Sequence, residues 1–271
     1  MSFTAEHVSY AYRRRRAAPI QALDDVNISI PTGSFTGLIG PNGCGKSTLL
    51  RLLAGIDRPA GGHVRLDGRD VASYTRREYA RRVAVVPQET HPAFDYSVMD
   101  MVLMGRHPHL GPFQLEGPAD HVEAARALDA THVGHLADRA FTALSGGEKQ
   151  RVVIASALAQ AGEVLLLDEP TASLDLGSQL DVTALLGRLH RERGATMVMA
   201  THDLNLAASL CDTLILLRAG RVLGHGPTPD VLTSSSVSAL YGVEADVRMH
   251  EHAGHLTVVP LRRTPAERHP E

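Results

Sequence analysis

Apolar and polar positions alternate through Val26, Ile28 and Ile30, and a similar pattern runs through residues 2–10. Period-2 patterning predicts two half-buried strands, 2–10 and 20–30, with Pro31-Thr32-Gly33 as the turn that follows. Phe35, Leu38 and Ile39 predict another strand, and Leu49, Leu50, Leu52 and Leu53 recur at helical spacing. A short strand is expected at His63–Leu66, a helix at Thr75–Arg82 capped by Ser73 or Thr75, and a strand at Val83–Val86 ending in Pro87-Gln88. From Glu89 to about Asp138 the strand pattern stops. Pro, His and Gly there interrupt helix-like pieces at Val98–Met104 and Ala119–Ala130, which predicts an inserted helical subdomain.

Alternation of element types then resumes. A helix is expected from Leu144 to about Gln160, then strand Val164–Leu167, helix Leu176–Arg193, strand Thr196–Ala200, helix Leu204–Cys211 and strand Thr213–Leu217. Strands alternating with helices predict an α/β layered fold, and a wholly apolar strand such as Val164–Leu167 belongs in a parallel sheet buried on both faces. The tail carries a short helix near Val237–Tyr241 and strand-like pieces at Ala245–Met249 and Leu256–Leu261. Residues Thr264–Glu271 are polar and expected to fray. The arginine run Arg13–Arg16 reads as a solvated loop.

Composition narrows the class. With 271 residues, 44% apolar and 21% charged, the chain has ample material for a core. A net charge of −3 gives no signal for nucleic acid, and with 4% aromatics and no Trp a base-stacking platform is not expected. Its two cysteines, Cys44 and Cys211, make no disulfide framework and suit a reducing cytoplasm. The N-terminus lacks the apolar run of a signal peptide, and no window approaches the ~20 apolar residues of a membrane helix.

Candidate chemistry begins between the expected strand at Phe35–Ile39 and the helix after it. Gly40-Pro41-Asn42-Gly43-Cys44-Gly45-Lys46-Ser47, followed by Thr48, is a G-x-x-x-x-G-K-[ST] loop in the strand-then-helix context that pattern requires. Its glycines let several N–H groups face one concavity, and the helix N-terminus adds partial positive charge. Lys46 supplies a full charge for β- and γ-phosphates, and Ser47 offers a hydroxyl to Mg²⁺. Asp168 and Glu169 end the apolar strand Val164–Leu167, at the sheet edge where α/β proteins bind ligands. Asp168 is the expected Mg²⁺ partner and Glu169 the general base, although an acid pair can also simply stop a strand. Ser145-Gly146-Gly147 before a helix is either a second anion contact or a plain cap. His202, after strand Thr196–Ala200, is either a γ-phosphate contact or structural.

Together, Leu144-Ser145-Gly146-Gly147-Glu148, the phosphate loop, Leu165-Leu166-Leu167-Asp168-Glu169-Pro170 and Thr201-His202-Asp203 resemble the ATP-binding cassette (ABC) ATPases over roughly residues 3–245. One departure is Glu148, where that family more often has Gln. The resemblance implies an α/β phosphate-loop NTPase (RecA-like) core with an N-terminal antiparallel β subdomain and an inserted helical subdomain. The core comprises 1–88 and 161–245, the helical part 89–160, and a short extension 246–271. It further implies that Tyr12 stacks on adenine, that Gln88 touches Mg²⁺ and the attacking water, and that Ser173-Leu174-Asp175 form a D-loop with His202 as switch histidine. ATP and Mg²⁺ are the implied ligands. Such ATPases act as head-to-tail homodimers, Ser145 and Gly147 of one copy clamping the γ-phosphate held by Lys46 of the other. Repair members insert long coiled coils, absent here, and a phosphate-loop kinase leaves Leu144–Glu148 unexplained.

Finer similarity is to importer ATPases for ferric siderophores, haem and cobalamin. It is carried by Leu49-Leu50-Arg51 after the loop, Arg81–Gln88, Gly105-Arg106-His107-Pro108-His109 and His202–Ala208. Cys44, and the tail from Tyr241-Gly242-Val243 through Val258-Val259-Pro260, look most like the iron-siderophore branch. That implies a peripheral subunit on the cytoplasmic face of the cell membrane, bound to two transmembrane permease subunits and served indirectly by a substrate-binding protein. Haem or cobalamin import is the alternative; a non-transport ABC ATPase in repair, translation or Fe–S assembly is the alternative of another class. Phe94, Tyr96, Val98, Met99 and Met101 either line the groove for a permease helix or are core. The cluster His250-Glu251-His252-Ala253-Gly254-His255 lacks metal-site spacing and reads as a solvated turn.

Overall fold

A computed structural model of the chain describes residues 2–14, 17–160 and 163–263. The N-terminal alternation builds an antiparallel pair, Phe3–Arg14 with Ala17–Ile30, in which Phe3 faces Ile30, Ala5 faces Ile28 and Val8 faces Val26. Paired residues share a face of the sheet, so these six side chains make one buried surface. Strands Gly61–Leu66 and Arg69–Asp70 extend the sheet to four. Both long strands run past their expected ends because Tyr12, Arg13, Ala18, Pro19 and Ile20 are all exposed. A ribbon wet on both faces has no period-2 signal to read. The expected arginine loop is thus partly strand; Arg15 and Arg16, like the tail beyond residue 263, lie outside the described residues.

The second sheet has six strands in the order Arg221–Pro227, Thr213–Arg218, Phe35–Ile39, Thr196–Thr201, Val164–Asp168, Val83–Val86. The last five are parallel, and the first is an antiparallel edge. Phe35–Ile39 and Thr196–Thr201 are buried at every position, as strands covered on both sides must be. Alternate residues enter two cores. Leu38, Leu166 and Val198 meet helix Lys46–Leu53 and the antiparallel sheet. Phe35, Ile39, Leu165, Leu167, Met197 and Met199 meet the helices of the other side.

Those helices include Val98–Leu103, Pro118–Ala130, Gly146–Gln160 and Leu176–Arg193. Ser97 and Asp100 close a capping box on the first, and Thr75 with Glu78 does the same for helix Arg76–Ala80. Arg106, in a 3₁₀ turn, ties the layer together by donating to Asp120 at 3.1 Å and to the Ala159 carbonyl at 2.7 Å. At the C-terminus, helix Ser234–Tyr241 leads into a hairpin, Val243–His250 with His255–Arg263. The hairpin lies on helix Leu204–Leu210, where the Asn205 side chain receives the Val258 N–H at 2.7 Å and donates to the Val258 carbonyl at 3.3 Å.

Candidate nucleotide-binding site

Because the central strands are parallel, their C-terminal ends share one edge. That edge collects Gly40, Thr201-His202, Asp168-Glu169 and Pro87-Gln88. Strand Phe35–Ile39 runs into the phosphate loop, and helix Lys46–Leu53 follows with Gly45 as its N-cap at φ 110°. A Cβ on Gly45 would meet the Ala22 carbonyl at 2.6 Å, and one on Gly40 would meet the Leu217 carbonyl at 2.0 Å, so neither position admits a side chain. Lys46 is buried, and its Nζ donates to the carbonyls of Gly40 at 2.7 Å and Pro41 at 3.2 Å. A buried ammonium held by two loop carbonyls is ready to exchange them for a polyanion. Tyr12 is half exposed; its hydroxyl shares a 3.0 Å hydrogen bond with Thr48 Oγ1, which sets the ring beside the first turn of the helix.

The Ser47 hydroxyl donates to Asp168 Oδ1 at 3.1 Å. Burial pushes the Asp168 carboxyl up, the Ser47 hydrogen bond opposes this, and the Glu169 charge adds to it. A hydroxyl and a carboxylate oxygen side by side, in a half-buried place that disfavours a lone anion, form the hard-oxygen set a Mg²⁺ ion selects. Glu169 sits at φ 47°, the left-handed region, its N–H bonded to the Ala200 carbonyl at 2.9 Å. Such strain in a non-glycine residue costs ~1–3 kcal/mol and tends to mark functional positions. Its Oε2 lies 3.0 Å from His202 Nδ1. Asp203 then caps helix Leu204–Leu210, accepting from the N–H groups of Asn205 and Leu206. Gln88 is exposed two residues beyond Val86, which pairs with Leu167.

Ser145 stands on a separate tip. Its N–H and hydroxyl both donate to Glu148 Oε2, at 2.8 and 2.7 Å, and these bonds hold the Glu148 carboxyl below the usual carboxylate range. Asp175 caps helix Leu176–Arg193 through Ser178, and Ser173 is left-handed at φ 62°. The two tips touch: a Cβ on Gly147 would meet Ser178 Oγ at 2.6 Å, and one on Gly146 would meet Leu174 Cδ2 at 3.3 Å. Cys44 is buried in the loop, where burial pushes its thiol up. The apolar set expected as groove or core divides: Val98 and Met101 are buried, Met99 and Tyr96 pack against the core, and Phe94 is 70% exposed. His250–His255 is the hairpin turn, and among the described residues no three His, Cys, Asp or Glu side chains converge to hold a metal.

A loop that bends its backbone around a buried lysine, facing a carboxylate pair across parallel strands, defines a phosphate-loop nucleotide-binding protein. Residues 23–172 match the family model for the ABC transporter, and the chain belongs to that family as one of its ATP-hydrolysing subunits. It is 41% identical over 241 residues to the ferric enterobactin transport ATP-binding protein of Escherichia coli, covering 89% of each chain. Identity is 43% with the hemin import ATP-binding protein of Pseudomonas entomophila, covering 88% of this chain and 94% of that protein. The cobalamin import ATP-binding protein of Halobacterium salinarum is also 43% identical, over 90% of this chain but 61% of that longer protein. Among solved structures, a metal-chelate type ABC transporter in an inward-facing conformation matches with TM-score 0.82 at 33% identity, covering 96% and 97% of the two chains. A dimeric ATP-binding cassette bound to ADP and Pi matches with TM-score 0.71 at 28% identity, covering 83% and 98%. These relatives set the non-transport alternative aside. Among the described residues no helix is long and apolar enough to cross a membrane.

Proposed function

We propose that this chain powers import of a ferric siderophore, working as a homodimer at the cytoplasmic face of the membrane beneath two permease subunits. A substrate-binding protein delivers the cargo to them. The observation that carries the chemistry is the line Ser47–Asp168–Glu169–His202, in which Ser47 meets Asp168 at 3.1 Å and Glu169 meets His202 at 3.0 Å, the latter two at the ends of adjacent parallel strands. The 41% identity to a ferric enterobactin relative supports the cargo class. Haem and cobalamin are the second reading, on the strength of the other two import relatives.

In this reading Lys46 leaves the Gly40 and Pro41 carbonyls for the β- and γ-phosphates, beside the N–H groups of Gly43, Cys44, Gly45 and Ser47. Ser47, Asp168 and Gln88 hold Mg²⁺, which supplies charge neutralisation across the phosphates when bound. Tyr12 stacks on adenine. The attacking water gives its proton to the Glu169 carboxylate as its oxygen bonds the γ-phosphorus and the bond to the β-phosphate oxygen breaks, leaving ADP and phosphate. His202 keeps that carboxylate turned toward the water. Ser145 and Gly147 of a second copy close over the γ-phosphate, with the Ser173–Asp175 loops facing across the dimer. The units are a core of 1–88 and 161–245, a helical part of 89–160 and an extension of 246–271.

ATPase activity of the complex, reconstituted with its permease and binding protein, tests the cargo. Stimulation by a ferric siderophore and not by haem or cobalamin is expected. Stimulation by either of the latter alone moves the assignment to the second reading.

A further inference from the structure

Helix Ser234–Tyr241 ends beside the phosphate loop. Its residues rest on strand Thr213–Arg218, the Arg218 guanidinium donating to the Ala239 carbonyl, and it is the Leu217 carbonyl of that strand that Gly40 packs against. Gly242 then turns the chain away at φ 65°, leaving the Tyr241 phenol at the helix terminus. The ring packs on the larger core, and the hydroxyl is buried with no hydrogen-bond partner in the protein. The ionisable groups whose charges reach it are Cys44 of the phosphate loop, Glu169 and Asp203, one from each of the three segments that form the site. Burial pushes the phenol up, so it remains a donor throughout the physiological range.

A buried hydroxyl without a partner costs ~1–3 kcal/mol, and among these groups a carboxylate is the strongest acceptor. Asp203 already accepts two helix N–H groups, whereas Glu169 has given His202 only its Oε2. We infer that Tyr241 is a positioning residue for ATP hydrolysis, its hydroxyl donating to the Glu169 carboxylate, directly or through one water, when the site is loaded. With Oε2 held by His202, a second hydrogen bond to the same carboxylate limits its rotation. This rests on Glu169 being the general base.

Tyr241→Phe in the full chain removes only the oxygen. The expected result is a kcat lowered about 10-fold, the size of a hydrogen bond to a charged group. Nucleotide Kd, measured by calorimetry with ATP, stays within about twofold, and the thermal midpoint is unchanged or higher because an unsatisfied hydroxyl is gone. The double variant with Glu169→Gln is no slower than Glu169→Gln alone. A wild-type kcat in Tyr241→Phe overturns the inference, as does a fall in kcat that comes with a lower midpoint or weakened Kd. Full activity of Glu169→Gln itself would instead overturn the general-base reading.

Discussion

Lys46 keeps its ammonium buried against two carbonyls of its own loop, an arrangement that neutralises no charge. A triphosphate does so, and Lys46→Ala is therefore expected to weaken ATP binding at least ~10-fold, in the range of a buried charge-assisted contact. Calorimetry that returns wild-type affinity contradicts the phosphate assignment. Glu148 presents a different balance. Its carboxyl stays charged because Ser145 donates to it twice, and so it sits as an anion on the tip proposed to meet a γ-phosphate. Glu148→Gln keeps the helix cap and removes the repulsion. A KM for ATP lowered about fivefold is expected, the scale of a like-charge contact near water; an unchanged or raised KM places Glu148 clear of the phosphate. Both residues were legible in the sequence, because an anion site made of consecutive N–H groups at a helix start has to be written in consecutive letters. The strained φ of Glu169 and the burial of the Tyr241 hydroxyl were not, since each depends on groups distant in the chain.

Elements that carry their own stop signals were read closely. Helix Leu176–Arg193 begins after its Asp175 cap and ends at left-handed Gly194, and strand Val164–Asp168 ends where charge begins. The edge strand Arg221–Pro227 has no legible pattern in the sequence because Gly224 and Gly226 occupy positions where alternation would place side chains. The tail's pattern predicts two strand-like pieces, and in the structure they pair as a hairpin held to the core. Part of the reason is the Asn205 clamp on Val258, which no local pattern announces. Asn205→Ala leaves the Val258 N–H and carbonyl without those partners, at ~1–2 kcal/mol. Faster amide exchange across 255–263, with ATP affinity unchanged, is the expected consequence. Unaltered exchange would mean that the hairpin is held by Val258 and Ala245 packing alone.

At the level of the whole molecule, the parallel sheet lines up one half of a catalytic site along its edge and leaves the other half on a different element. Lys46, Ser47, Asp168, Glu169 and His202 are linked by hydrogen bonds and charge, while Ser145 and Gly147 find their contacts with Glu148 and Ser178. Ser145 and Gly146 are exposed at a helix N-terminus, and in the proposed homodimer a second copy of the chain would bring the γ-phosphate of its ATP there. In that proposed dimer two such contacts, both lost when the γ-phosphate leaves, would make ATP the adhesive and hydrolysis the release. With Glu169 as the proposed general base, Glu169→Gln is expected to bind ATP without turning it over and to shift from monomer to dimer by light scattering when ATP and Mg²⁺ are added. Adding Ser145→Arg to it places a bulky side chain on the tip and should hold the protein monomeric at full ATP occupancy. A dimer that forms regardless of position 145 would put the γ-phosphate clamp elsewhere, and a monomer in both variants would remove the dimer from the mechanism.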